Sequence, residues 1–208
     1  MTSTRALALV IALSAASAGA TTWTVDLQVD EQDGACVAGD CSLREAIASS
    51  AENDDIVFAL TGAPPWTIPL QTVLGPLVID HSLTVTGPGT ASLAVSGDPN
   101  GDGTGDLRVL RVLGTGALLM TDLTLRDGRA TTSSSRDGGC VLDEGDARFV
   151  AVRFENCRGW DGGTTMFSGF RGGEGGAIYV SLGAALTIED SSFNGNRGGT
   201  GGIRNWVS

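Results

Sequence analysis

Short apolar runs separated by glycine, proline and acidic residues recur along this chain from Trp66 onward. Trp66-Thr-Ile-Pro-Leu70, Leu77-Val-Ile-Asp80, Leu83-Thr-Val-Thr86 and Leu93-Ala-Val-Ser96 are each four or five residues long, the length of a strand. Leu83/Val85 and Leu93/Val95 alternate with polar or small neighbours, which sends them to one face. Leu107-Arg-Val-Leu-Arg-Val112, Ala117-Leu-Leu-Met120 and Leu123-Thr-Leu125 form a second set. Cys140-Val-Leu142 with the run 147–154 forms a third, and Ala177-Ile-Tyr-Val180 with Leu186-Thr-Ile-Glu-Asp190 a fourth. Gly201 to Ser208 reads as one more strand.

The sets repeat. Leu-Thr followed by Val, Leu or Ile begins at Leu83, Leu123 and Leu186, and Gly-Gly pairs begin at Gly138, Gly175 and Gly201. Strands this short bury a face only when stacked, turn on turn, with glycine at tight corners. The spacings predict a parallel β-helix with coils of about 20–25 residues, roughly four to six of them. Residues 159–173 break the spacing and read as a loop inserted on one flank. An antiparallel β-sandwich is the rival, but Asn100-Gly101 and Asn194-Gly195 do not sit tightly between matched strands.

One segment has helical periodicity. Ser42 and Glu45 form a capping box, and Leu43, Ala46 and Ile47 share a face that leaves Arg44 and Glu45 off it. Asn53-Asp54-Asp55 closes the helix with turn formers, and Ile56-Val57-Phe58 begins a strand. A strand over 21–29 precedes it. The organisation expected is a leader over 1–20, a strand and capping helix over 21–60, and repeats over 61–208. The helix is expected to lie as a lid on the first coil.

Cys41-Ser-Leu-Arg-Glu-Ala-Ile47 resembles the CSLREA motif near the start of bacterial secreted β-helix proteins. Thr22-Trp23-Thr24-Val25 before it, Asp55-Ile56-Val57-Phe58 after it and Leu83-Thr84-Val85-Thr86-Gly87-Pro88-Gly89 further on match that family's elements in order, from about Thr22 to Gly97. Gly175-Gly-Ala-Ile178 with Phe193-Asn-Gly-Asn196 is similar to the repeats of polymorphic outer-membrane proteins. Together they imply an all-β, right-handed parallel β-helix of the pectin-lyase-like kind, with a short N-terminal capping helix. Such proteins continue for many coils, so this chain, ending on an open β edge, is expected to be truncated or to pair that edge with another molecule.

Composition narrows the setting. Arg5, an apolar run over 6–16 and Ala18-Gly19-Ala20 have the form of a secretory signal peptide, which places the protein outside the cell or on its surface. The net charge of −11 argues against nucleic acid as a partner. No apolar stretch after the leader is long enough for a membrane span. All 13 basic residues are arginine, which removes lysine as a Schiff-base or general-base candidate. The four cysteines suit an oxidising compartment, with Cys36–Cys41 and Cys140–Cys157 as the pairs expected. A four-cysteine zinc site lacks the C-x2-C spacing it needs.

Candidate chemistry is sparse. Asp98, Asn100, Asp102 and Asp106 stand at D-x-N-x-D-G-x-x-D spacing around Gly103, a hard-oxygen set suited to calcium. The alternative is a solvated acidic loop. The one histidine, His81, reads as a turn residue. Asp122, Asp127, Asp143, Glu144 and Asp190 are available acids, and Arg126, Arg153 and Arg204 could meet a uronate or pair with those acids. The aromatics of residues 160–170 read as a cover over the solenoid flank. No catalytic residue is assigned. The function expected is a non-catalytic, adhesin-like or structural module whose partner is a cell-surface polysaccharide or protein. A polysaccharide lyase or hydrolase and a calcium-stabilised carbohydrate-binding module are the alternatives.

Overall fold

A computed structural model describes residues 19–131, 137–162 and 171–201. Residues 1–18 of the leader, the aromatic residues beyond Gly162 and residues 202–208 of the strand expected over 201–208 lie outside them. A single strand, β1 (Thr22–Val25), and the helix α1 (Leu43–Ser49) come first. The chain then winds through three faces in strict rotation. The first turn is β2 (Asp54–Phe58), β3 (Trp66–Pro69) and β4 (Leu77–Ile79), and the second is β5 (Ser82–Thr86), β6 (Leu93–Ser96) and β7 (Leu110–Val112). The third is β8 (Ala117–Thr121), β9 (Thr124–Arg126) and β10 (Val141–Asp143), and the fourth β11 (Asp146–Val150), β12 (Arg153–Glu155) and β13 (Ile178–Val180). β14 (Ala185–Glu189) and β15 (Ser192–Asn194) begin another.

The first sheet runs β1-β2-β5-β8-β11-β14, the second β3-β6-β9-β12-β15 and the third β4-β7-β10-β13. Every pairing is parallel, so this is a β-solenoid of about four turns and not a sandwich. In-register pairing stacks the inward residues in columns. Ile56, Val85, Met120 and Phe149 form one in the first sheet; Ile68, Val95, Leu125 and Phe154 form another in the second. All eight are buried. Phe154 stacks on Phe193 of the next turn at a ring separation of 4.8 Å, the spacing of the strands themselves. In that last turn Ile188 and Phe193 are exposed.

The coils are longer than the 20–25 residues expected. Ser82 faces Ala117, Ala117 faces Asp146 and Asp146 faces Ala185, steps of 35, 29 and 39 residues. The reason lies at one corner. From the third turn on, the first sheet passes to the second through two residues, whereas the second reaches the third over 97–109, 127–140 and 156–177. Residues 159–173 belong to the last of these, and the Gly173 N–H donates to the Trp160 carbonyl at 2.7 Å, so the segment leaves and returns at one point. This corner is tightly packed: a Cβ on Gly128 would lie 2.7 Å from the Cys140 sulfur. Cys140 and Cys157, both buried, join the third and fourth turns here, and Cys36–Cys41 closes the loop before α1.

The two-residue corner divides the run 147–154, read as one strand, into β11 and β12. Ala151 sits there at φ +52°, between its equivalents Asp122 at +56° and Asp190 at +47°. Asp and Asn tolerate this left-handed conformation; alanine pays a Cβ clash. β1 is shorter than the 21–29 expected because Asp26 turns away to accept from the N–H groups of Gly39 and Cys41.

α1 packs against β1 and β4 at the N-terminal end, and Leu43, Ala46 and Ile47 join the core, as a lid requires. The capping box is formed. Arg44 and Glu45 are not off the buried face, however: they are 8 % and 1 % exposed. The Arg44 Nε and Nη2 donate to Asp30 at 2.7 and 2.9 Å, and its remaining donors reach the carbonyls of Leu74, Gly75 and Pro76. Glu45 accepts from the N–H groups of Ser42, Asp33 and Gly34. The helix has no solvent side in its first turn because the first coil and the 30–34 loop flank it. Removing one partner of such a buried pair costs about 3–5 kcal/mol.

One inward position breaks the apolar rule. Asp143 follows Ile79 and Val112 in a column of the third sheet and is fully buried. Its Oδ1 accepts from the Gly145 N–H, while its Oδ2 has no hydrogen-bond partner. Burial, with Asp146 nearby, pushes its carboxyl up to about 6. The folded chain thus holds this proton more tightly than the unfolded one, and the stabilisation is lost as pH rises through 6. Asp143→Asn, which cannot ionise, should gain on the parent by about 2 kcal/mol between about pH 4 and pH 8, read from urea unfolding at both. Equal differences at the two pH values would contradict this. Ala151→Asn should raise Tm by about 2–4 °C by relieving the left-handed alanine.

Candidate functional site

The outer face of the second sheet carries two of the arginines singled out in the sequence, beside Trp66. Parallel register places Thr67, Ala94, Thr124 and Arg153 in one outward column and Pro69, Ser96, Arg126 and Glu155 in the next. Between them lies a groove of 430 Å³ lined by Trp66, Thr67, Ala94, Arg126, Arg153 and Glu155 among others. Small residues in the first two turns let Arg126 lie back along the axis, where its Nη2 donates to the Thr67 hydroxyl at 3.3 Å. Arg126 also meets Asp127 at 3.3 Å, and Arg153 meets Glu155 at 3.5 Å. Both guanidinium groups keep about 40 % of their side chains exposed (39 % and 41 %). The Trp66 ring is half-buried and its Nε1–H donates to the Thr61 carbonyl, which fixes the ring's edge.

Folding thus brings together Arg126 and Arg153, two of the three arginines singled out in the sequence; Arg204 lies outside the described residues. It scatters the acids. Asp122 and Asp190 occupy equivalent corners two turns apart, about 10 Å at the spacing of stacked strands. Asp143 is inside the core, Glu144 pairs with Arg111 at 2.7 Å on the third sheet, and Asp127 stays beside Arg126. Arg148–Glu189 at 2.9 Å ties turn to turn in the same way, and Arg129 and Arg158 share Asp161. Exposed pairs of this kind contribute about 0–1 kcal/mol each.

Asp98, Asn100, Asp102 and Asp106 lie together in the loop between β6 and β7. The Asp98 carboxylate accepts from the N–H groups of Gly101 and Gly103 at 2.9 and 2.8 Å. Asn100 accepts from Asp102 and donates to Asp106, and Asp102 accepts from Thr104. Those bonds from Thr104 hold the Asp102 carboxyl below its usual range. Asp98, Asn100 and Asp102 cap the loop's own backbone, and Asp106 accepts from the Asn100 side chain. Among the described residues a tighter carboxylate grouping is Glu31, Asp33 and Glu45, whose oxygens lie within 4.8 Å of one another. Partial burial, with Asp33, Glu45 and Asp40 near, pushes the Glu31 carboxyl up.

A third feature was not read from the sequence. α1 and the first strand of the third sheet enclose a cleft of 510 Å³ lined by Ile47, Ser50, Leu77, Val78, Asp80 and His81 among others. His81 is in the β4–β5 turn as expected, but its side chain is only 16 % exposed. Its Nε2 lies 2.9 Å from the Ser50 hydroxyl and its Nδ1 2.7 Å from the Asp80 carboxylate. The Asp-His pair was visible in the chain; Ser50, 31 positions away, was not connected to it.

No family model, curated protein or solved structure matches this chain.

Proposed function

We propose that this chain is an exported β-solenoid of the CSLREA-motif kind, whose outer faces bind and do not cleave, and whose ligand is a carboxylate-bearing cell-surface polysaccharide held on the second sheet. The observation that carries this is the groove in which Arg126 and Arg153 flank a run of small residues beside Trp66. Guanidinium groups suit carboxylates, and an indole ring face suits a sugar ring. The groove follows the solenoid axis, the direction in which an extended glycan lies flat. A leader of signal-peptide form and two disulfides are compatible with the extracellular setting.

Binding is favoured over turnover because glycoside hydrolysis needs two carboxylates facing across the sugar. Among the described residues Glu155 is the one carboxylate lining this groove, and it is tied to Arg153. Calcium, if held by Asp98, Asn100, Asp102 and Asp106, acts in this reading as a stabiliser of the β6–β7 corner and not as a reactant.

The test is a panel of soluble polyuronides and neutral glucans, titrated with the full chain with and without a chelator. Polyuronide binding should weaken about tenfold when Arg126 and Arg153 are both changed to Ala, and also with added salt. No new reducing ends or unsaturated uronates should appear. Turnover of any polyuronide, or undiminished binding by the double variant, overturns the reading. A melting temperature that rises with calcium and falls with chelator assigns the ion to the loop.

A further inference from the structure

The chain's one histidine bridges a hydroxyl and a carboxylate, and the distances define where its protons go. Asp80 Oδ1, 2.7 Å from Nδ1, requires a proton on that nitrogen. In the neutral ring Nε2 is then a bare lone pair, 2.9 Å from the Ser50 Oγ, and the hydroxyl donates to it. The same Oγ lies 2.8 Å from the Ile47 carbonyl. When His81 is protonated, Nε2–H donates to Oγ and the hydroxyl proton turns to Ile47. Both charge states of the ring are therefore fully hydrogen-bonded in one geometry. A group that takes up a serine proton without rearrangement is what a general base must be.

We propose that Ser50, His81 and Asp80 form a hydrolytic serine centre, separate from the groove on the second sheet, that takes carboxylic esters of short apolar acyl chains. Ser50 is the nucleophile, His81 the base, and Asp80 the positioning residue that sets the tautomer. The cleft's volume is within the range of small-ligand sites. Ile47, Leu77 and Val78 supply its apolar wall, which seats an acyl chain. Arg44 also lines the cleft, but its donors are committed to Asp30 and to the carbonyls of residues 74–76. Gln32 lines it as well and is the side-chain amide on hand for the carbonyl oxygen as that atom takes charge.

The step balances within these groups and water. The Ser50 oxygen adds to the ester carbonyl carbon as its proton passes to His81 Nε2. The tetrahedral adduct collapses, the bond to the leaving alkoxide breaks, and His81 returns the proton to release an alcohol. Water then gives a proton to His81 and its oxygen attacks the acyl-Ser50. Collapse expels the Ser50 oxygen, which takes that proton back, and a carboxylic acid leaves.

The full chain is treated with a fluorophosphonate probe and with p-nitrophenyl butyrate, and the products are read by intact mass, peptide mapping and released nitrophenol. One probe equivalent per chain is expected on Ser50, lost on unfolding and in Ser50→Ala. His81→Gln and Asp80→Asn should slow labelling at least a hundredfold; the Asp80 side chain is 65 % exposed, so its change leaves the fold intact by circular dichroism. Asp80→Glu should recover part of the rate, which a role confined to stability would not predict. No labelling of the folded parent, labelling on another serine, or an unchanged rate in Asp80→Asn overturns the proposal.

Discussion

In-register parallel pairing between one turn and the next is the constraint on which this molecule rests. Its strands are three to five residues long, too short to bury a face alone. Each gains its partners only from the turns before and after it. A slip of one residue would send Ile56, Val85, Met120 and Phe149 to solvent together and bring their polar neighbours in. The corners exist to protect that register. Left-handed residues at Asp122, Ala151 and Asp190 turn the chain from the first sheet to the second in two residues at the same place in successive turns. Variation in coil length is pushed mainly to the opposite corner, where the Cys140–Cys157 bond ties neighbouring turns.

The same constraint creates an end problem. A stack of parallel strands has an open mouth, and α1 covers the first one. Burying that helix on several sides carried two charges into the interior with it. Arg44 meets Asp30 and three carbonyls, and Glu45 satisfies three backbone N–H groups, so neither is left unpaired. Asp143 contrasts with them. It occupies a core position with one oxygen unpartnered, and the interior answers by favouring its protonated form.

Surface chemistry follows from where the register puts side chains. Outer-face arginines such as Arg111, Arg148 and Arg153 are bridged to acids of the same or an adjacent turn. On the second sheet, small residues in the early turns open a groove beside Trp66, where Arg126 and Arg153 stay part-exposed. The cap cleft is a different kind of place. It forms where a helix end meets a strand end, so it can set a hydroxyl beside an imidazole and carboxylate pair 31 positions further along the chain.

Local pattern determined much of this in advance. Alternating aliphatic residues, glycine-punctuated runs and the capping box at Ser42 and Glu45 are short-range signals, and the capping box and most of the runs became the helix or strands they implied, though the run 147–154 became two strands and 21–29 a shorter one. Both cysteine pairings were legible too, one from a short spacing and one from flanking the same coil. The repeat length was not, because corner loops carry no hydrophobic period and Ala151 does not announce a left-handed corner. The burial of Arg44 and the inward turn of Asp143 depend on what stacks against them, which no window of sequence contains. The approach of Arg126 to Arg153, and of Ser50 to His81, came only with the winding of the chain: Arg153 stacks on Thr124, two positions before Arg126, and the helix end brings Ser50 to a turn 31 positions further on.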